Sequence, residues 1–153
     1  MLFPSPTDFA AALPAGARLL GLDVGNTTIG LALSDTRRKI ASPLSTIERS
    51  KFTKDMEGLK TIISAHDAAG LVIGYPVNMD GKPGPRAQST RTFVSNMSKQ
   101  LALPMLLWDE RMSTMAVERM MTDEADMSRA RRSELVDKLA ASYMLQGFLD
   151  SLS

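Results

Sequence analysis

The sequence predicts one α/β domain: a mixed five-stranded sheet flanked by helices, in the order βββ-α-β-α-β-α-α. Three observations carry this. Three strand-like runs follow one another between residues 18 and 47, as an antiparallel meander would. The hydrophobic period then switches to that of a helix and alternates with short apolar runs. Finally, 153 residues suit one core, whereas two halves would each be marginal. A meander followed by alternating helices and strands makes a mixed sheet sandwiched by helices.

Each element has its own signal. Arg18 to Gly25 (RLLGLDVG) is a nearly continuous apolar run, as in a central strand covered on both faces. Gly25 and Asn26 form a tight-turn pair before the second strand, Thr28 to Ser34. Ile40 to Ile47 is a weaker strand, and Pro43 assigns it to an edge. Phe52, Met56, Leu59, Ile63 and His66 follow one helical face, with Gly70 as the predicted stop. Leu71 to Tyr75 is a buried strand, and Pro76 to Pro85 is dense in turn formers and reads as an exposed loop. Ala87 to Leu103 is a helix, Met105 to Trp108 a strand, Ser113 to Met121 a short helix, and about Ser128 to Leu152 a longer one. Residues 1–16 read as a flexible N-terminal extension, with Phe3 and Phe9 tacked onto the surface, ahead of a domain spanning 17–153.

Composition narrows the chemistry. There is no cysteine, which removes disulfides, thiolate metal sites and a cysteine nucleophile together, and fits a cytoplasmic protein. The first sixteen residues contain no Lys or Arg, so they lack the charged start of a secretory signal. No apolar run is long enough to span a bilayer. The net charge of +1 gives no global signature of a nucleic-acid binder. Local clusters at Arg37, Arg38 and Lys39 and at Arg129, Arg131 and Arg132 read first as solvated loop or helix starts.

The acids are more informative. Asp23 ends the first strand, where a carboxylate faces the crevice in which α/β sheets bind ligands; the alternative is a turn aspartate. Asp109 and Glu110 end the Met105 to Trp108 strand. Adjacent residues on an extended chain point to opposite sides, so one of the two reaches the crevice, and spacing leaves open which. Asp137 shares a helical stripe with Ala141, Met144 and Phe148, putting an acid on an otherwise apolar face. A buried carboxylate must be protonated, paired or placed on a metal. Carboxylates from two strand ends and a packed helix suit Mg²⁺ or Mn²⁺, hard cations that prefer oxygen. Arg86 and Arg91, after the turn-rich loop, are candidates to hold backbone phosphate. Arg111 is a candidate for a carboxylate or phosphate contact, and Tyr75 and Trp108 could stack on a base or simply pack.

Four segments resemble, in order, the signature blocks of the YqgF or RuvX family: GLDVGNTTIGLALSD (21–35), LVIGYPVNMDGKPGPRAQ (71–88), LPMLLWDERMSTMAVERMM (103–121) and VDKLAASYMLQGFLD (136–150). The family comprises Holliday-junction-resolvase-like proteins, also described as pre-16S rRNA nucleases. The resemblance implies a ribonuclease H-like fold and a cytoplasmic, metal-dependent nuclease that matures the 5′ end of small-subunit ribosomal RNA. It implies Asp23, Glu110 and Asp137 as the catalytic and metal-binding acids, choosing Glu110 over Asp109. One departure stands out: where the family commonly has a basic pair after the first glycine, this chain has Asn26, Thr27 and Thr28.

Other functions remain open at this stage. A resolvase of four-way DNA junctions would share the same acids and is expected to dimerise, and neither a monomer nor a homodimer is signalled. A non-catalytic RNA-binding assembly factor would keep the fold without cutting. The LDVGNTTIGLAL run also looks like the first phosphate loop of actin-like ATPases and kinases, but those need two lobes and a second glycine-rich loop.

Overall fold

β1 (Arg18–Val24), β2 (Thr28–Ser34) and β3 (Ala41–Glu48) form an antiparallel meander. β4 (Ala68–Tyr75) adds parallel to β1, and β5 (Met105–Asp109) parallel to β4, giving the sheet order β3-β2-β1-β4-β5. In this computed structural model the described residues are 1–76, 82–109 and 129–152, with the backbone alone at 129–138. The short helix expected over Ser113–Met121 lies outside them, as do positions 77–81 of the turn-rich loop. The helices described are α1 (Pro6–Ala11), α2 (Phe52–His66), α3 (Pro85–Ser98) and α4 (Arg129–Ser151).

Strand alternation sorts the core into two layers. Leu20, Leu22 and Val24 of β1 join Ile29 and Leu31, Leu71 and Ile73, and Met105 beneath α2 and α3, which contribute Met56, Leu59, Phe93, Val94 and Met97. On the opposite face Leu19, Ala32, Val72 and Leu106 pack against Ala141, Met144, Leu145, Phe148 and Leu149 of α4. The stripe read from the sequence is therefore buried at Ala141, Met144 and Phe148. α4 approaches β1 closely because Gly21 lacks a side chain: a Cβ there would lie 3.0 Å from the Leu145 Cβ and 3.4 Å from the Ala141 carbonyl oxygen.

Three details differ from the sequence reading, each for a local reason. α2 stops at Asp67, which adopts the left-handed conformation at φ 52°, rather than at Gly70. Gly70 lies inside β4, where a Cβ would collide with Leu13, Leu19 and Phe9. α3 begins two residues early because Pro85 supplies the fixed φ suited to a first helical turn, and it ends at Ser98 rather than Leu103. Residues 1–16, read as loose, are joined to the domain. Ser5 caps α1 by accepting the Asp8 N–H at 3.1 Å, and Pro6 follows at the first position. Phe9 is fully buried, its ring edge-on to Phe148 at 5.6 Å. Met1 to Phe3 run along β5, with hydrogen bonds of 2.8 Å between Met105 N–H and the Met1 carbonyl and between Phe3 N–H and the Met105 carbonyl.

Candidate active site

The parallel strands β1, β4 and β5 end at the same edge of the sheet, which also carries the β1–β2 turn and the end of β3. The turn is closed by the Gly25 N–H donating to the Thr28 carbonyl at 2.8 Å. Asp23 sits one residue inside this edge. Its neighbours Leu22 and Val24 face α2 and α3, so alternation turns the Asp23 carboxylate to the α4 side. Its partner across β2 is Gly30. On β4, Gly74 follows Ile73, the partner of Leu22. Asp23 is therefore flanked on both sides by glycines, and its side chain is only 17% exposed.

α4 runs toward the amino end of β1. Ala141 and Leu145 cross at Gly21, while Phe148 meets Phe9, whose ring lies against Gly70 near the start of β4. Gln146 confirms the direction: its side chain accepts the Ala41 N–H at 2.8 Å, at the start of β3. The backbone of position 137 is thus one turn beyond Ala141 toward the edge that holds Asp23. From the crossing at Gly21, Asp23 lies about 7 Å along the strand, and position 137 lies about 6 Å along the helix from Ala141.

The remaining predicted residues divide clearly. Arg86, at the start of α3, places Nη2 3.6 Å from the Asp23 carboxylate while its side chain is 54% exposed. Arg91 is not drawn to Asp23 by any contact described; its Nε–H donates to the Tyr75 hydroxyl at 3.0 Å, with the guanidinium 5.4 Å from that ring. Trp108 packs edge-on against Phe148 at 5.5 Å, so its use here is packing. Arg38, from the first basic cluster, donates to the Pro14 and Ala17 carbonyls at 3.0 and 3.3 Å and ties the N-terminal segment down. Glu110 and Arg111 lie outside the described residues, and Asp137 is described by its backbone alone. Among the described residues no three acidic or histidine side chains gather as a metal site.

One basic residue that the sequence did not single out is brought to the same edge. Arg49, just beyond β3, donates from Nη1 to the Gly25 carbonyl at 2.6 Å and lies 5.2 Å from the Phe93 ring centre. Only the meander puts it beside the first turn, so no local pattern could have marked it.

A three-stranded meander continued by two parallel strands, with an acid at the end of its first strand, defines the ribonuclease H-like class. The solved structure of Thermus thermophilus RuvC in complex with Holliday junction substrate shares this fold, at a TM-score of 0.54 and 13% identity over 90% of this chain and 96% of that one. The chain belongs to the RuvX Holliday junction resolvase family, whose model matches residues 17–151. A Rhodobacter capsulatus protein described as a candidate pre-16S rRNA nuclease is 56% identical over 100% of this chain and 96% of its own length. A Rhodospirillum rubrum protein of the same description is also 56% identical, over 94% of this chain and 89% of its own. Among the described residues no helix is long and apolar enough to cross a membrane.

Proposed function

We propose that this protein is a divalent-metal nuclease that hydrolyses phosphodiester bonds in the cytoplasm, at the 5′ end of precursor 16S ribosomal RNA. The observation that carries the reading is the placement of Asp23. It is a mostly covered carboxylate at the ligand-binding edge of the sheet, between Gly30 and Gly74, on the face to which α4 brings position 137. The names of the relatives in Rhodobacter capsulatus and Rhodospirillum rubrum support ribosomal RNA as substrate.

The match of the Asp-Glu-Arg block to the family supports Glu110 as the second acid. Met105 and Leu107 face α2 and α3, whereas Leu106 and Trp108 face α4. That alternation turns Asp109 toward α2 and α3, away from the Asp23 side. Asp23, Glu110 and Asp137 make an all-carboxylate donor set, which fits hard cations such as Mg²⁺ or Mn²⁺. A divalent ion bound there would lower the pKa of attacking water and neutralise charge on the leaving oxygen. The chain's own part is to hold the carboxylates on rigid strand ends and a packed helix, with Arg86, Arg91 and Arg111 available to backbone phosphate.

The test is a cleavage panel offering 5′-extended ribosomal RNA and four-way junction DNA to wild type and Asp23→Asn in Mg²⁺ and in Mn²⁺. We expect cleavage of the RNA by wild type, and none by a variant with unchanged thermal unfolding. Full activity in Asp23→Asn would overturn the site. Junction cleavage with intact RNA would instead support the DNA resolvase reading, which the description of the family favours. RNA binding without cleavage of either substrate would mark an assembly factor.

A further inference from the structure

We infer that Arg86 is an exchangeable counter-ion, which holds Asp23 in the metal-free protein and transfers to a phosphate of the nucleic acid when that carboxylate binds a divalent cation. The inference rests on the metal reading of Asp23 and adds a coupling between metal and nucleic acid. Three features carry it. The guanidinium touches the acid from outside its strand, at 3.6 Å, so the pair joins α3 to β1 across the mouth of the site. The two partners differ in exposure, 54% for Arg86 against 17% for Asp23, so the arginine has room to swing and the aspartate does not. Arg86 also lies in the first turn of α3, where no acidic residue accompanies it, and the helix amino terminus there favours an anion.

Electrostatics then fixes the order of events. At 3.6 Å, with the arginine reaching the covered carboxylate from solvent, the ion pair is readily exchanged. Were the Asp23 charge taken up by a divalent cation, the Arg86 guanidinium would be repelled from it and would turn N–H donors toward a phosphate. In reverse, Arg86 engaged on phosphate leaves the carboxylate more open to metal. Coupling of this kind is reciprocal.

Two double-mutant measurements test it with wild type, Asp23→Asn, Arg86→Gln and the double variant, each checked by thermal unfolding. The first titrates Mn²⁺ without nucleic acid, following free Mn²⁺ by electron paramagnetic resonance. Arg86→Gln should bind Mn²⁺ about two- to fivefold more tightly than wild type, and Asp23→Asn more weakly. The second measures binding of a single-stranded RNA oligonucleotide in EDTA, where no metal-dependent cutting occurs. Asp23→Asn should bind RNA more tightly than wild type, and most of that gain should vanish in the Arg86→Gln background. Unchanged or weaker Mn²⁺ binding by Arg86→Gln, or an equal RNA gain in both backgrounds, overturns the exchange while leaving the metal site standing. Undiminished Mn²⁺ binding by Asp23→Asn overturns the metal reading itself.

Discussion

On the side of α2 and α3 the central strands present Leu20, Leu22, Val24, Ile29, Leu31 and Ile73, all large and buried. On the side of α4 the same strands present Leu19, Gly21, Asp23, Gly30, Ala32 and Gly74, so small residues replace large ones toward the carboxyl edge. The first face fills space with side chains. The second lets a helix approach the backbone at Gly21 and sets one acid between two glycines at the edge. A single strand can thus fill one core with its even-numbered residues while its odd-numbered ones seat a helix and hold an acid at the edge.

Adjacent residues should break this comparison most sharply if it is wrong. Asp23→Asn should lower metal-dependent cleavage by at least about a hundredfold, because even outer contacts of metal sites cost 10–100-fold, and should leave the thermal midpoint unchanged. Leu22→Ala should do the reverse, losing about 2–5 kcal/mol in denaturant unfolding while keeping cleavage per folded molecule. If the two phenotypes merge, the faces are not functionally separate.

Packing of the second face can be probed next. Phe9→Ala removes a fully buried ring that contacts both Phe3 and Phe148, and should cost about 3–5 kcal/mol in urea unfolding. An effect under 1 kcal/mol would return residues 1–16 to the status of a loose extension. Gly21→Ala should cost about 1–3 kcal/mol by overpacking, since the new Cβ meets the Leu145 Cβ at 3.0 Å and that atom cannot rotate away. Because α4 must move to admit it, cleavage by the folded variant should also fall.

The smallest effect concerns the β2–β3 turn, away from both faces. The Asp35 carboxylate accepts the Ile40 and Lys39 N–H groups at 3.1 and 2.8 Å, which lowers its pKa below the usual aspartate value. A depressed folded pKa means stabilisation that is present above the unfolded value of about 3.9 and lost as pH falls through the folded one. Thermal midpoints of wild type and Asp35→Asn should therefore differ by a constant amount above about pH 5 and converge in stronger acid. A gap that widens on acidification would reverse the assignment.

The fold was legible because its signals are periodic. Continuous apolar runs marked β1 and β4, alternation of period marked the parallel half, and the Ala141, Met144 and Phe148 stripe marked the buried side of α4. The errors came where one residue has two possible uses. Gly70 looks like a helix stop but is a close-packed strand residue, while Asp67 takes the left-handed turn at some steric cost. α1 was missed although Ser5, Pro6 and Asp8 carry a helix-start pattern, because six residues are too few to show a period. The places of Asp23 near the end of β1 and of Arg86 at the start of α3 were legible from the apolar run and from the loop that precedes the helix. Their pairing, and the arrival of Arg49 at the Gly25 carbonyl, depend on sheet order and helix placement that spacing does not encode.

The run of Met1 to Phe3 along β5 has a further consequence for how these molecules meet one another. An open strand edge is a template on which another chain can add. At the far side, β3 is interrupted by Pro43 and its register shifts opposite it, so that edge is a poor template. At β5 the protection is supplied by the chain itself, which occupies the Met105 N–H and carbonyl. Peeling away three residues would expose the edge of an apolar strand and make it a seed for strand-to-strand association.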